Sequence, residues 1–351
     1  MVNVVLKRNE AIDVLKGIGI ILVIIGHMNT SQIGGGIITY IYSFHMALFF
    51  WCTGYLSFNS KSNNQNFFKF FIKKFKKIII PYILFFCISL LYGHFIVRNI
   101  FDQYVIPFNL KDSLKALVYS SEWLNTVPTF NFALWFLPTL FITTIIFYFI
   151  TKIKKPYLFA LVILLLSFVT IPLQQRVFIG RPILSLNAIP GALVFMGIGY
   201  LFRQYESKIK LSKIVLLALF CFSLWGSYAY QGNIQSIGHY IYFAIAIACI
   251  LVFYYISKDL SSSNILKFIG KNSLIYLGLH SLISYSYQFT KIQDYFIGQW
   301  NGIMTFAINL LYIIILSGII ILLKEKIVFC LNYVFKLLYN KLFKKRKKLE
   351  T

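Results

Sequence analysis

Two side chains that can carry a proton close an otherwise uncharged run near the start of the chain: Lys16 and His27, in KGIGIILVIIGH. Eleven residues is close to three helical turns, so on a helix the two project about 20° apart on one face, roughly 16 Å apart along the axis. A neutral imidazole takes up a proton near neutral pH and also serves as a nucleophile, while a lysine holds an anion as a point charge. Asp13 stands three residues before Lys16, a spacing that permits pairing. Two further histidines fall within apolar runs: His45 in SFHMALFFWCTGY and His280 in GKNSLIYLGLHSLISY. Ser273, Tyr276, His280 and Ser284 share one helical face, and a polar face in lipid must meet another helix or a water-lined cavity. For each histidine the alternative reading is a buried side chain that only packs. His94 and His239 lie near span ends and read as interfacial.

A third stretch, FFIKKFKKIIIPYILFF, alternates phenylalanines with Lys73, Lys74, Lys76 and Lys77 ahead of Pro81. Its pattern suits an interfacial helix on the cytoplasmic surface leading into a span. These lysines read equally as plain charge anchoring and as a docking surface for a phosphate-bearing ligand. Carboxylates are placed differently. All ten Asp and Glu fall in loops, tails or span ends, which leaves histidine as the group at depth. The five cysteines stand alone, without a C-x-x-C pair or a His/Cys cluster, so neither a disulfide framework nor a metal site is supported.

What positions these residues is a membrane. Hydrophobic residues make up 59% of the 351, and aromatics 19%, well above soluble usage. Ten runs suit spanning helices: 11–28, 37–58, 78–97, 131–151, 156–173, 188–203, 212–230, 237–257, 273–290 and 303–323. With the N-terminus inside, the cytoplasmic segments hold 28 of the 34 basic residues and the outer segments hold six. A miscounted helix would invert every later loop and spoil that alternation. The expectation is an all-α polytopic membrane helix bundle of about ten transmembrane helices with both termini cytoplasmic. Residues 1–325 form one transmembrane domain, and 326–351 a basic cytoplasmic C-terminal tail. Asp13 and Lys16 interrupt the first apolar core, and no small-residue cleavage site follows, so it reads as a retained helix rather than a signal peptide. The net charge of +24 lies between apolar runs, which favours membrane anchoring over nucleic acid.

Together these segments resemble the acyltransferase 3 family of integral membrane acyltransferases, over about residues 10–325. The landmarks stand in order: a basic residue ten positions before a histidine in IDVLKGIGIILVIIGH, the FHMALFFWCTGY run, and a basic-x-x-basic pair, Lys74 and Lys77, ahead of Pro81. LWFLPTLF at 134–141 and IGKNSLIYLGLH at 269–280 complete the set. The resemblance implies transfer of an acyl group from a cytoplasmic acyl-CoA, with acetyl-CoA the default, to a hydroxyl of an extracytoplasmic or lipid-linked polysaccharide. It implies a bacterial inner or plasma membrane, His27 as the central catalytic residue and the basic pair as donor-binding. Lys stands at 16, 74 and 77 where the commonest family pattern has Arg, so the point charge is kept and bidentate phosphate binding is not.

The candidate site is therefore His27, His45 and His280 for chemistry, with Lys16, Lys74 and Lys77 for the donor. His27 can act as general base or carry the acyl group as an acyl-imidazole. Trp51, Tyr55, Trp123 and Trp135 read either as a sugar-binding mouth or as interface-belt aromatics. The rival functions are a transporter of a polysaccharide or its lipid-linked precursor, and a structural subunit of an assembly complex. Against the transporter stand the lack of inverted halves and of buried carboxylates.

Overall fold

The computed structural model describes residues 9–28, 35–58, 66–99, 109–120, 131–178, 183–289 and 302–347. Among the described residues the fold is helical throughout, with no strand beyond one isolated bridge between Asn233 and Ser236. Seven helices are long and apolar enough to cross a membrane: Gly35–Ser57, Phe67–Val97, Phe132–Ile150, Pro156–Val177, Ile183–Lys208, Ile241–Asp259 and Ile303–Lys326. The three remaining segments read as spans are also helical but fall short of that standard. Glu10–His27 (α1) has 18 residues that include Glu10, Asp13 and Lys16. Lys213–Ala229 (α10) is an apolar helix of only 17 residues. Ser273–Phe289 (α13) has 17 and is interrupted by serines and His280.

The second expected span is two helices, Gly35–Tyr42 (α2) and His45–Ser57 (α3), offset by a turn at Ser43 and Phe44. That offset places His45 at the first position of α3. The lysine-rich segment leads directly into the following span. Phe67–Lys74 (α4) continues through a π turn, Phe75–Ile79, into Ile80–Leu91 (α5), and the Ile80 N–H donates to the Phe75 carbonyl. Pro81 explains the widening: its ring would crowd the carbonyl four residues back, that of Lys77, and one extra residue in the turn removes the clash.

Leu110–Tyr119 (α6) precedes Phe136–Ile150 (α7), Pro156–Pro172 (α8) and Ile189–Tyr205 (α9). Ile241–Asp259 (α11), the short Asn264–Lys271 (α12) and Gly302–Lys347 (α14) complete the chain. The outer helix α8 exposes Leu161, Leu164, Leu165 and Phe168, a surface suited to lipid chains. Inside, α3 and α9 cross at Gly54 and Gly199, where a Cβ on either would strike backbone of the other helix. The same device joins α1 to α12. A Cβ on Gly17 would meet the Leu266 carbonyl, and one on Gly270 would meet the Asp13 carbonyl.

At the end where α1 begins, a polar knot ties four helices. Asn9 caps α1 by accepting from the Ile12 N–H (3.3 Å) and donates to the Tyr55 hydroxyl of α3 (2.9 Å). Tyr55 donates to Glu206 (2.6 Å), as do Arg203 at the end of α9 (2.5 Å) and Tyr254 of α11. Lys258 lies 3.1 Å from the other Glu206 oxygen. Arg203 and Lys258, counted in the sequence only among the cytoplasmic basic residues, thus hold a half-buried carboxylate.

Candidate active site

The site has a cationic part and an imidazole part on the same helices. The cationic part is a cavity of about 390 Å³ whose walls include Lys16 of α1, Lys74 of α4 and Lys77 of the π turn. The three lysines singled out for an anionic donor therefore face one space. Lys16 Nζ lies 3.2 Å from Asp13, which stands in the first turn of α1 and is buried there. Lys74 Nζ sits 5.4 Å from the centre of the Phe70 ring, a cation–π distance. The remaining wall is largely apolar, with Ile20, Met46, Phe49, Phe136, Leu137 and Leu277 among its residues.

The imidazole part lies further along. The α1–α12 crossing sets it: α12 touches α1 at Asp13 and Gly17, so α13, which follows at Ser273, starts beside the middle of α1 and not beside its first residue. Ser273 and Ile20 both line the cavity. Seven residues onward on each helix, about 10 Å of rise, come His280 and His27. Their ring centres are 5.4 Å apart. His45 enters through a shared neighbour: the Tyr42 ring lies 6.3 Å from His27 and 5.0 Å from His45, edge-on to both.

The three histidines are held differently. His280 Nδ1 donates to the Leu277 carbonyl (2.9 Å), with the Tyr276 carbonyl at 3.2 Å, and its Nε2 accepts from Ser281 (3.1 Å). Both nitrogens are thus engaged, and the ring is 1% exposed. His45 is also buried. Its Nδ1 lies 2.8 Å from the Ile41 carbonyl, which only an N–H can satisfy, so the lone pair is on Nε2. His27 is half-buried at the last turn of α1, and among the described residues neither ring nitrogen has a hydrogen-bond partner. Of the three it is the one with both nitrogens open to a reacting group.

The two parts are joined through single residues. Met46 lines the cavity and follows His45 directly. Leu277 lines it as well, and the His280 imidazole donates to its carbonyl. Asn131 donates to the next carbonyl, of Gly278, at 2.9 Å, which steadies this turn of α13. Among the described residues no group of three or more His, Cys, Asp or Glu is arranged to hold a metal ion.

The aromatic candidates among the described residues do not form a mouth. Trp51 and Tyr55 are buried, and Trp51 packs within 5.5 Å of the ring centres of Tyr55, Phe202 and Tyr254. Trp135 is buried against Phe136, and Trp123 lies outside the described residues. Their positions near sequence-defined span ends suggested a surface, whereas the tight α3–α9 crossing draws Trp51 and Tyr55 into the core. Tyr42, Ser281 and Asn131 escaped the sequence reading. Tyr42 offered one signal, its place three residues before His45.

The chain matches the family model described as an acyltransferase domain over residues 9–322. No curated protein and no solved structure matches it.

Proposed function

The chain belongs to the acyltransferase 3 family, and from that premise we propose that it moves an acetyl group from cytoplasmic acetyl-CoA to a hydroxyl of an extracytoplasmic or lipid-linked polysaccharide. The observation that carries this reading is the pairing of one lysine-lined cavity with a histidine cluster about 10 Å further along the same helices. The donor bears several phosphates, which Lys16, Lys74 and Lys77 suit as point charges, and its acyl-bearing arm is uncharged, which suits the apolar wall. The excess of basic residues at the segments beside this cavity supports a cytoplasmic opening and cytoplasmic termini, in a bacterial plasma membrane.

His27 takes the proton from the acceptor hydroxyl as that oxygen attacks the thioester carbonyl. The tetrahedral adduct then collapses, its C–S bond breaks, and the imidazolium returns the proton to the departing thiolate. A two-step route uses the same residue: His27 itself attacks, carries the acetyl group as an acyl-imidazole, and passes it to the acceptor. Labelled acyl-histidine trapped without acceptor distinguishes the second route from the first. His280, with both nitrogens held, stands beside His27, and His45, with its lone pair on Nε2, stands beside their neighbour Tyr42.

The reading is tested with membranes containing the protein and acetyl-CoA labelled in its acetyl group. Label moves into carbohydrate with wild type, and His27→Ala at equal abundance lowers the rate by about 10³-fold, the scale of a lost acid–base group. Equal transfer by both removes His27 from the mechanism. No transfer by wild type across acyl-CoA donors overturns the donor assignment.

A further inference from the structure

We propose that Tyr42 is a positioning residue for His27, and that Gly26 is glycine so that the Tyr42 ring can lie against the last turn of α1. The inference rests on the acyl-transfer reading of His27. Three observations converge on it. The Tyr42 hydroxyl donates to the Gly26 carbonyl at 3.0 Å. That carbonyl belongs to the last turn of α1, where helical carbonyls have no partner within the helix. The Tyr42 ring also stands edge-on between His27 and His45, at 6.3 and 5.0 Å. Finally, a Cβ placed on Gly26 would come within 3.2 Å of Tyr42 Cε2, closer than ordinary contact.

The physical account follows from what His27 lacks. With no hydrogen bond among the described residues to hold its ring, the imidazole is directed by the rings beside it, Tyr42 and His280. Tyr42 acts twice. Its hydroxyl fixes the backbone immediately before His27, and its ring edge limits how far the imidazole turns. It moves no proton in the reaction, since its hydroxyl hydrogen is committed to a carbonyl. The dipeptide Gly26-His27 is then one unit: the histidine works because the residue before it leaves room for a tyrosine from the next helix.

The test compares Tyr42→Phe, Tyr42→Ala, Gly26→Ala and the double variant Gly26→Ala/Tyr42→Ala in membranes, at matched abundance and with thermal midpoints measured. Tyr42→Phe lowers kcat about fivefold and Tyr42→Ala about 10²-fold, the scale of a misplaced reacting group, while KM for acetyl-CoA stays within about twofold because the donor cavity is untouched. Gly26→Ala is as damaging as Tyr42→Phe in the wild-type background and harmless on top of Tyr42→Ala. A second readout is independent of turnover: the rate at which diethyl pyrocarbonate modifies His27, followed by mass spectrometry, rises at least threefold in Tyr42→Ala. Additive effects of the two substitutions, or an unchanged His27 modification rate, overturn the proposal. A kcat loss that only tracks a lowered thermal midpoint does the same. If wild type shows no acetyl transfer, the functional reading falls, and the modification rate still decides the positioning role.

Discussion

Three imidazoles grouped around Tyr42 and His27 are not interchangeable, because their hydrogen bonds differ. Among the described residues His27 has no partner on either nitrogen, His45 has one committed to Ile41, and His280 has both committed, to Leu277 and Ser281. On the proposed reading, alanine at 27 removes the reacting group, and alanine at 45 removes a fixed lone pair beside it. Alanine at 280 mainly strands the Leu277 carbonyl and the Ser281 hydroxyl. Measured transfer falls in that order, by about 10³-fold, 10²-fold and tenfold. His280→Ala and His45→Ala also lower the unfolding free energy, by about 1–3 kcal/mol for unsatisfied buried groups. Residue type and spacing marked all three histidines and all three lysines, since an ionisable group in an apolar run is legible at once. Their unequal bonding was not legible. It depends on which carbonyls α13 and α2 offer, and on Tyr42 reaching across from α2.

At the scale of elements, each of the ten apolar runs marked in the sequence holds a helix, because apolar length alone specifies one where backbone groups have no water to bond. Departures from regular helix were harder to see. Pro81 gave a local signal, and the π turn it enforces rotates Lys77 relative to Lys74. In Pro81→Ala the restored N–H reaches the Lys77 carbonyl and the turn regularises. KM for the donor rises about tenfold, the scale of one charge-assisted hydrogen bond, and kcat changes much less. The α1–α12 contact had no signal beyond two glycines far apart in sequence. It decides where α13 starts and hence that His280 reaches His27. Gly270→Val drives a branched side chain into the Asp13 carbonyl, which cannot swing aside as a side chain would. A loss of about 3 kcal/mol in stability is expected, seen as a lower thermal midpoint in detergent.

Across the whole molecule, the knot around Glu206 holds α1, α3, α9 and α11 at the end remote from the histidines. Sequence position could not reveal it, because its members are drawn from residues 9, 55, 203, 206, 254 and 258. Glu206→Ala leaves Arg203 and Lys258 facing each other without the carboxylate. The cost is about 2 kcal/mol, below that of a fully buried pair because both cations reach water. It registers as a lower thermal midpoint, with the His27-to-His280 chemistry preserved in the protein that remains folded. The separation of the lysine cavity from the imidazoles along α1 also has a kinetic meaning. On the proposed reading, a carrier that has surrendered its acetyl group still fits the cationic chamber, so free CoA is expected to inhibit competitively against acetyl-CoA and noncompetitively against the carbohydrate. A single shared pocket visited by turns would reverse that pattern, and initial rates at a few CoA concentrations tell the two apart.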